Sequence, residues 1–355
     1  MDVNANFFCK SMPKVELHAH LSGSFSKETC QRLLQKYNKE NPTEKLSLGN
    51  YGNCRSLDDA NQTIGLCHKL TNSLESIYTS TCDVIKEYAA DNVKYLELRS
   101  RPRALAGKFT RRQYIEAILA AVDACVQEGV DIDVKYLLSI DRAEDISVAQ
   151  ESIQLARELL LSHHSIVGMD LSGNPKTGDA RVFIPLLQEG RKVGLKLAFH
   201  AAEFPGKNPE TKALIEMRPD RLGQAVYVEP EMGGTLELTS MVENYKIPIE
   251  YSLTANMRTG AVPSIGAHPF WHWYSKNHPC ILTCDGKGIM NTSLTNEFLL
   301  AARSFQLSST QVWDLSQKAI NYIFADDETK AKLHSKWRMW QAHEAPSFTN
   351  FLDQD

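Results

Sequence analysis

The chain has 355 residues, 43% of them hydrophobic and 23% charged, with a formal net charge of -4 at neutral pH. This is the composition of a globular protein with a large core. The slight acidic balance gives no electrostatic reason to expect nucleic acid or an anionic membrane as partner, and no apolar stretch approaches the roughly 20 residues of a membrane-spanning helix. The opening run MDVNANFFCKSMPK lacks an apolar leader region, which argues for a cytoplasmic protein. Eight cysteines (Cys9, Cys30, Cys54, Cys67, Cys82, Cys125, Cys280, Cys284) form no CxxC pair and read as reduced thiols within apolar segments.

Short apolar runs alternate with longer amphipathic ones. In chain order the short runs predict strands over 14–18, 93–99, 132–140, 166–172, 195–200, 221–226, 247–252 and 280–285. Between them the 3.6-residue pattern predicts helices over 75–90, 111–127, 147–161, 180–193 and 235–244. Thr110 with Gln113 and Ser308 with Gln311 read as capping boxes, and Gly129 and Gly194 stand where left-handed helix caps would fall. Eight strands alternating with helices predict a single α/β domain over 1–355, a (β/α)8 TIM-type barrel. The stretch 28–74 exceeds one crossover and predicts extra helices after the first strand. The helical patterns 293–305, 310–324 and 328–341 predict more at the C-terminus.

The first strand ends in His18-Ala19-His20. Residues two apart share a face of a strand, so both imidazoles can reach one metal ion. Two later runs, LKLAFHAAE and CILTCD, end near His200 and Asp285. Three nitrogens and a carboxylate, all at the strand ends where barrel active sites assemble, make a catalytic metal centre with a position open for water. Glu203, three residues beyond His200, stands where a carboxylate can shuttle a proton.

The segments PKVELHAHLSGS, LELRSRPR, LLSIDR, DLSGNP, FHAAE, LTANM and TCDGKG resemble the adenosine/AMP deaminase family of zinc barrels, over about residues 12–325. The resemblance implies one zinc ion per chain held by His18, His20, His200 and Asp285, with Glu203 protonating a purine ring. It implies substrate contacts at His20, Ser22 and Gly173, whose backbone would face the purine. For the nucleotide branch it adds His68, Arg101, Pro102, Arg103, Ala104 and Asp141. The residues themselves leave alternatives open: Arg101 and Arg103 suit a phosphate or a solvated surface, Asp141 suits substrate or an ion pair with Arg142 or Arg99, and His68 suits ligand or packing.

Three positions depart from the family. Gln224 stands where the family has a histidine on the attacking water, Gly286 where it has a second aspartate, and Ser22 where it has asparagine or aspartate. The expected function is hydrolytic deamination of an adenine nucleoside monophosphate, N6-methyl-AMP-like, to the inosine-type product, by a monomer without nucleic-acid or membrane partners. The alternative is an impaired paralogue that binds zinc and nucleotide without turnover. A further option is that Gly286 makes room for a bulkier purine substituent. His268, His272 and His278 are candidates to compensate for Gln224, or to pack with Trp271 and Trp273.

Overall fold

The computed structural model describes residues 3–343. Eight strands, β1 (Lys14–His20), β2 (Val93–Ser100), β3 (Asp133–Asp141), β4 (Ile166–Ser172), β5 (Lys196–Ala201), β6 (Arg221–Gln224), β7 (Ile249–Tyr251) and β8 (Cys280–Leu282), pair in parallel and in sequence order. The barrel meets itself beyond the short β8: Ala19 bridges Asp285, and the His20 amide donates to the Asp285 carbonyl at 2.9 Å. Glu16 reinforces the seam, its buried carboxylate accepting from the His18 amide at 2.8 Å and the Cys284 amide at 2.9 Å.

The helices are α1 (Val3–Ser11), α2 (Lys27–Glu40), α3 (Leu57–Leu70), α4 (Leu74–Ala90), α5 (Arg111–Gln127), α6 (Ile146–Leu160), α7 (Ile184–Lys192), α8 (Asn208–Glu216), α9 (Leu236–Tyr245), α10 (Leu253–Arg258), α11 (Phe270–Ser275), α12 (Leu294–Ser304), α13 (Ser309–Ala319) and α14 (Asp327–His343). Helices α2 and α3 are the expected insertion after the first strand, and α12 to α14 the expected C-terminal set. Both capping boxes form as reciprocal side-chain and backbone pairs, and Gly129 and Gly194 are left-handed, with φ of 73° and 96°. All eight cysteines are free and buried.

Several boundaries differ from expectation, two of them for clear local reasons. The helix predicted over 180–193 is a 3-10 turn, Ala180–Phe183, followed by α7. Pro185 at the start of α7 lacks an amide proton, so a helical ladder restarts there rather than running through. Strand β6 stops at Gln224 instead of continuing to 226, because Gln224 and Ala225 both turn left-handed, with φ of 66° and 44°.

Strand register fixes what the barrel interior carries. Gly223 lies beside His200 on β5, and a Cβ at Gly223 would sit 2.9 Å from Cε1 of His18. The glycine is what lets the His18 ring lie against β6. Gly223→Ala should therefore push that ring aside, lowering stability by about 1–3 kcal/mol through overpacking and divalent-metal affinity by more than tenfold. Thermal unfolding and chelator competition measure the two, and unchanged metal affinity would contradict this account of the ring's position.

Candidate active site

His18 and His20 leave β1 on one face, and β5 brings in His200. Their Nε2 atoms converge, 3.2 Å between His18 and His20 and 3.1 Å between His20 and His200. Asp285, three residues past β8, completes the group, with Oδ1 3.8 Å from Nε2 of His18 and 3.5 Å from Nε2 of His20. It lies further past its strand than expected and takes a left-handed φ of 60°. Ala202, Gln224 and Ala225 are left-handed too. Such backbone costs of order 1–3 kcal/mol per residue and persists where the surroundings dictate it.

The rings are aimed by carboxylates beneath them. Nδ1 of His18 bonds Oε2 of Glu250 at 2.6 Å, and Nδ1 of His200 bonds Oδ1 of Asp170 at 2.8 Å. Each pairing puts the ring proton on Nδ1 and turns the Nε2 lone pair into the cluster. The carboxylates are held in turn. Arg99 pairs with Asp170 and Glu250 and donates to the Leu17 carbonyl; Arg221 pairs with Glu250 and Glu97 and lies over the Phe324 ring. These five charged side chains are fully buried.

The cluster calls for a cation. Burial, with the Arg99 charge, drives His18 down to about 3, and burial with the neighbouring His200 and His18 rings drives His20 well below its ordinary value. At His200 burial also lowers the pKa, but the Asp170 and Glu203 carboxylates outweigh it and raise it to about 9. One positive charge is thus favoured at the point where three ring nitrogens meet, and a divalent metal bound by three nitrogens and a carboxylate satisfies all four donors. These three histidines are the metal-competent cluster found among the described residues.

A cleft of about 390 Å³ opens above the donors, lined by His20, Ser22, His68, Arg101, Asp141, Gly173, His200, Glu203, Asp285 and Gly286 among others. Gly173 has a φ of 106°, and a Cβ there would meet Oδ1 of Asp141 at 2.3 Å, so that position admits only backbone. Asp141 pairs with Arg101 at 3.1 Å rather than with Arg142 or Arg99, which bind Glu210 and the interior carboxylates. His68 faces the cleft from α3, and burial with nearby Arg103 and Arg101 lowers it to about 3, keeping the ring neutral.

Pro102, Arg103 and Ala104 lie outside this cleft, lining an adjoining cavity that also reaches His68 and Arg101. Arg103 donates to the His68 carbonyl and to Thr71, and lies over Tyr114, anchoring the end of α3. Gln224 sits on the other side of Glu203 and Asp285, in a smaller recess. Gly286 opens no room: a Cβ there would lie 2.9 Å from Cγ1 of Ile289 and 3.1 Å from the Gly23 carbonyl. Of the three candidate histidines, His272 bonds Glu229 and His278 packs edge-on to Trp273, whereas His268 joins Gln224 through Asn256.

Glu97, Asp170, Arg221 and Glu250 were not picked out from the sequence, and Arg99 was given only Asp141 as an ion-pair partner. Their signal is a charged residue inside an apolar strand run, which demands a buried counter-charge.

A family model described as adenosine deaminase matches residues 13–340. The N6-methyl-AMP deaminase of Homo sapiens is 43% identical over 332 residues, 93% of this chain and 94% of that protein. The N6-mAMP deaminase of Arabidopsis thaliana is 34% identical over 349 residues, covering 91% of this chain and 96% of the relative. Among solved structures, an ADAL–IMP complex superimposes with a TM-score of 0.88 at 33% identity, covering 96% of this chain and 100% of the other. Arabidopsis ADAL complexed with GMP gives 0.86 at 32%, covering 94% and 98%.

Two outcomes follow from the site's electrostatics. Asp170→Asn and Glu250→Gln should each lower divalent-metal affinity 10- to 100-fold, read by chelator competition, and an unchanged affinity would contradict the aiming role. Burial raises Glu203 from its ordinary 4.5 to about 7, Asp285 adding to the rise and His200 opposing it. A folded-state pKa above the unfolded one means that ionisation opposes folding, at no cost below about pH 4.5 and at full cost above about pH 7. Metal-free Glu203→Gln should therefore have a higher Tm than wild type at pH 8 and the same Tm at pH 4. Equal differences at the two pH values would refute the assignment.

Proposed function

The chain belongs to the adenosine deaminase family, and from that premise we propose that it hydrolyses the exocyclic C–N bond of an adenine nucleoside monophosphate of the N6-methyl-AMP type at a zinc centre. The observation that carries this reading is the convergence of His18, His20, His200 and Asp285 beside Glu203 at the floor of a cleft whose far side holds Arg101 and His68. His18, His20, His200 and Asp285 would hold the ion. When bound, zinc supplies Lewis acidity, which makes water a competent nucleophile near neutral pH.

The chain's own groups do the rest. Glu203 lines the cleft beside the four donors, where a carboxyl can hold a proton for the purine ring nitrogen and give it up, as a general acid/base must. Water adds to the carbon bearing the exocyclic nitrogen, the C–N bond breaks, and the amine leaves with a proton to give the inosine-type product. The Gly173 backbone and Ser22 flank the purine, while the Arg101 guanidinium, shared with Asp141 at 3.1 Å and Glu144 at 3.5 Å, offers the phosphate a bidentate partner. The impaired, non-catalytic alternative has no support among the relatives named above, which carry deaminase names.

The test compares N6-methyl-AMP, AMP and adenosine with zinc-loaded protein, using Glu203→Ala as blank. Nucleotide turnover well above the blank, with Arg101→Ala raising KM for nucleotides at least tenfold and leaving any nucleoside reaction alone, is the expected result. No product from any of the three would overturn the proposal.

A further inference from the structure

We infer that His268, through Asn256, fixes Gln224 as a hydrogen-bond donor facing the catalytic centre; as an amide takes no proton in either orientation, proton transfer on this side of the cleft falls to Glu203. The orientation rests on geometry alone; its consequence for turnover rests on the deaminase reading.

Amide oxygen and nitrogen are nearly alike in shape, so the orientation must come from the network around them. Here the network starts at a group that cannot be reversed. The Phe270 backbone N–H donates to Nδ1 of His268 at 3.0 Å. Nδ1 is therefore an acceptor, and a neutral ring carries its proton on Nε2. The ring is 2% exposed, and burial lowers its pKa to about 3, which keeps it neutral. Tyr251 holds it edge-on at 5.2 Å.

From that end each link has one polarity. His268 Nε2–H donates to Oδ1 of Asn256 at 2.9 Å, which leaves Nδ2 of Asn256 to donate to Oε1 of Gln224 at 2.7 Å. Gln224 Nε2 then donates to Oδ2 of Asp285 at 3.2 Å. The opposite orientation would set two acceptors against each other at Asp285 and two donors at Asn256. Gln224 and Asn256 are 3% and 4% exposed, so water cannot relieve such a mismatch. The left-handed turn at Gln224 and Ala225 brings the amide to this place, and Ala225 N–H bonds the Ala201 carbonyl at 3.1 Å to hold the turn.

The consequence is chemical. A primary amide has two N–H bonds. Asp285 takes one, and the other is available to the recess that Gln224 shares with Glu203 and Asp285. The amide oxygen already accepts from Asn256. Gln224 thus presents a preorganised N–H donor that orients the attacking water through its oxygen, and Asn256 and His268 are positioning residues behind it. A side chain with no titratable nitrogen is then suited to the reaction, provided its polarity is fixed from behind.

Long-range proton–nitrogen NMR of the histidine rings reads the orientation directly, with or without turnover. The expected result is a neutral Nε2–H tautomer for His268; an Nδ1–H tautomer overturns the inference. Kinetics read the consequence. Asn256→Asp keeps the acceptor for His268 and removes the donor to Gln224. It should lower kcat on the order of 100-fold, with KM within a few-fold of wild type. His268→Gln, which keeps a donor at the Nε2 position, should retain most of kcat, whereas His268→Leu should not. Wild-type kcat in Asn256→Asp, or losses tracking Tm and KM alike in all three variants, would overturn the positioning role. An Nε2–H tautomer in a protein with no wild-type turnover would leave the orientation standing and refute the deaminase reading instead.

Discussion

Two arginines inside the barrel, Arg99 and Arg221, hold the carboxylates on which the metal-site imidazoles depend. Charges so fully buried are costly to desolvate, and they are tolerated only with close opposite partners. Glu97, Asp170 and Glu250 supply the partners, while the Leu17 and Tyr322 carbonyls take further guanidinium protons. Three carboxylates face two guanidinium groups, so the layer is short of one positive charge. The surplus is directed upward through Nδ1 of His18 and His200 to the point where the Nε2 atoms meet. Aiming the rings and attracting a cation are one arrangement.

The layering explains what could be read from the sequence. His18, His20, His200 and Asp285 were legible because they stand at the ends of strand-like runs, where period-2 alternation and barrel geometry together say which way they face. The eight strands and their order were legible for the same reason. The layer beneath was not. Arg221 meets Glu97 and Glu250 on strands far apart in the chain, and only the closed barrel brings them together. Arg103 was legible only as a guanidinium after a strand end; its hold on the end of α3, which it keeps while lining the adjoining cavity, was not.

The two substituted positions have different physical characters. At Gly286 the missing side chain is replaced by packing, since Ile289 and the Gly23 backbone close over it. A carboxylate could not return without moving them. At Gln224 the polar function is retained and given a fixed direction by residues from β7's neighbour α10 and the loop before α11. Neither change disturbs the four donors or Glu203. The site therefore keeps a metal-binding floor and the Glu203 carboxyl beside it, with a hydrogen-bond donor where the family has a titratable ring. No single-position reading could anticipate this, because the polarity of Gln224 is set three hydrogen bonds away, at the Phe270 amide.

The claim on which everything rests is that the buried charge layer aims three imidazoles at a single metal ion. Anomalous diffraction at the zinc edge from crystals of the purified, zinc-loaded protein tests it most directly. The account predicts one peak per chain, among the Nε2 atoms of His18, His20 and His200 and beside Asp285, with Nδ1 of His18 and His200 still on Glu250 and Asp170. A peak elsewhere, or none with the three rings in place, would contradict it.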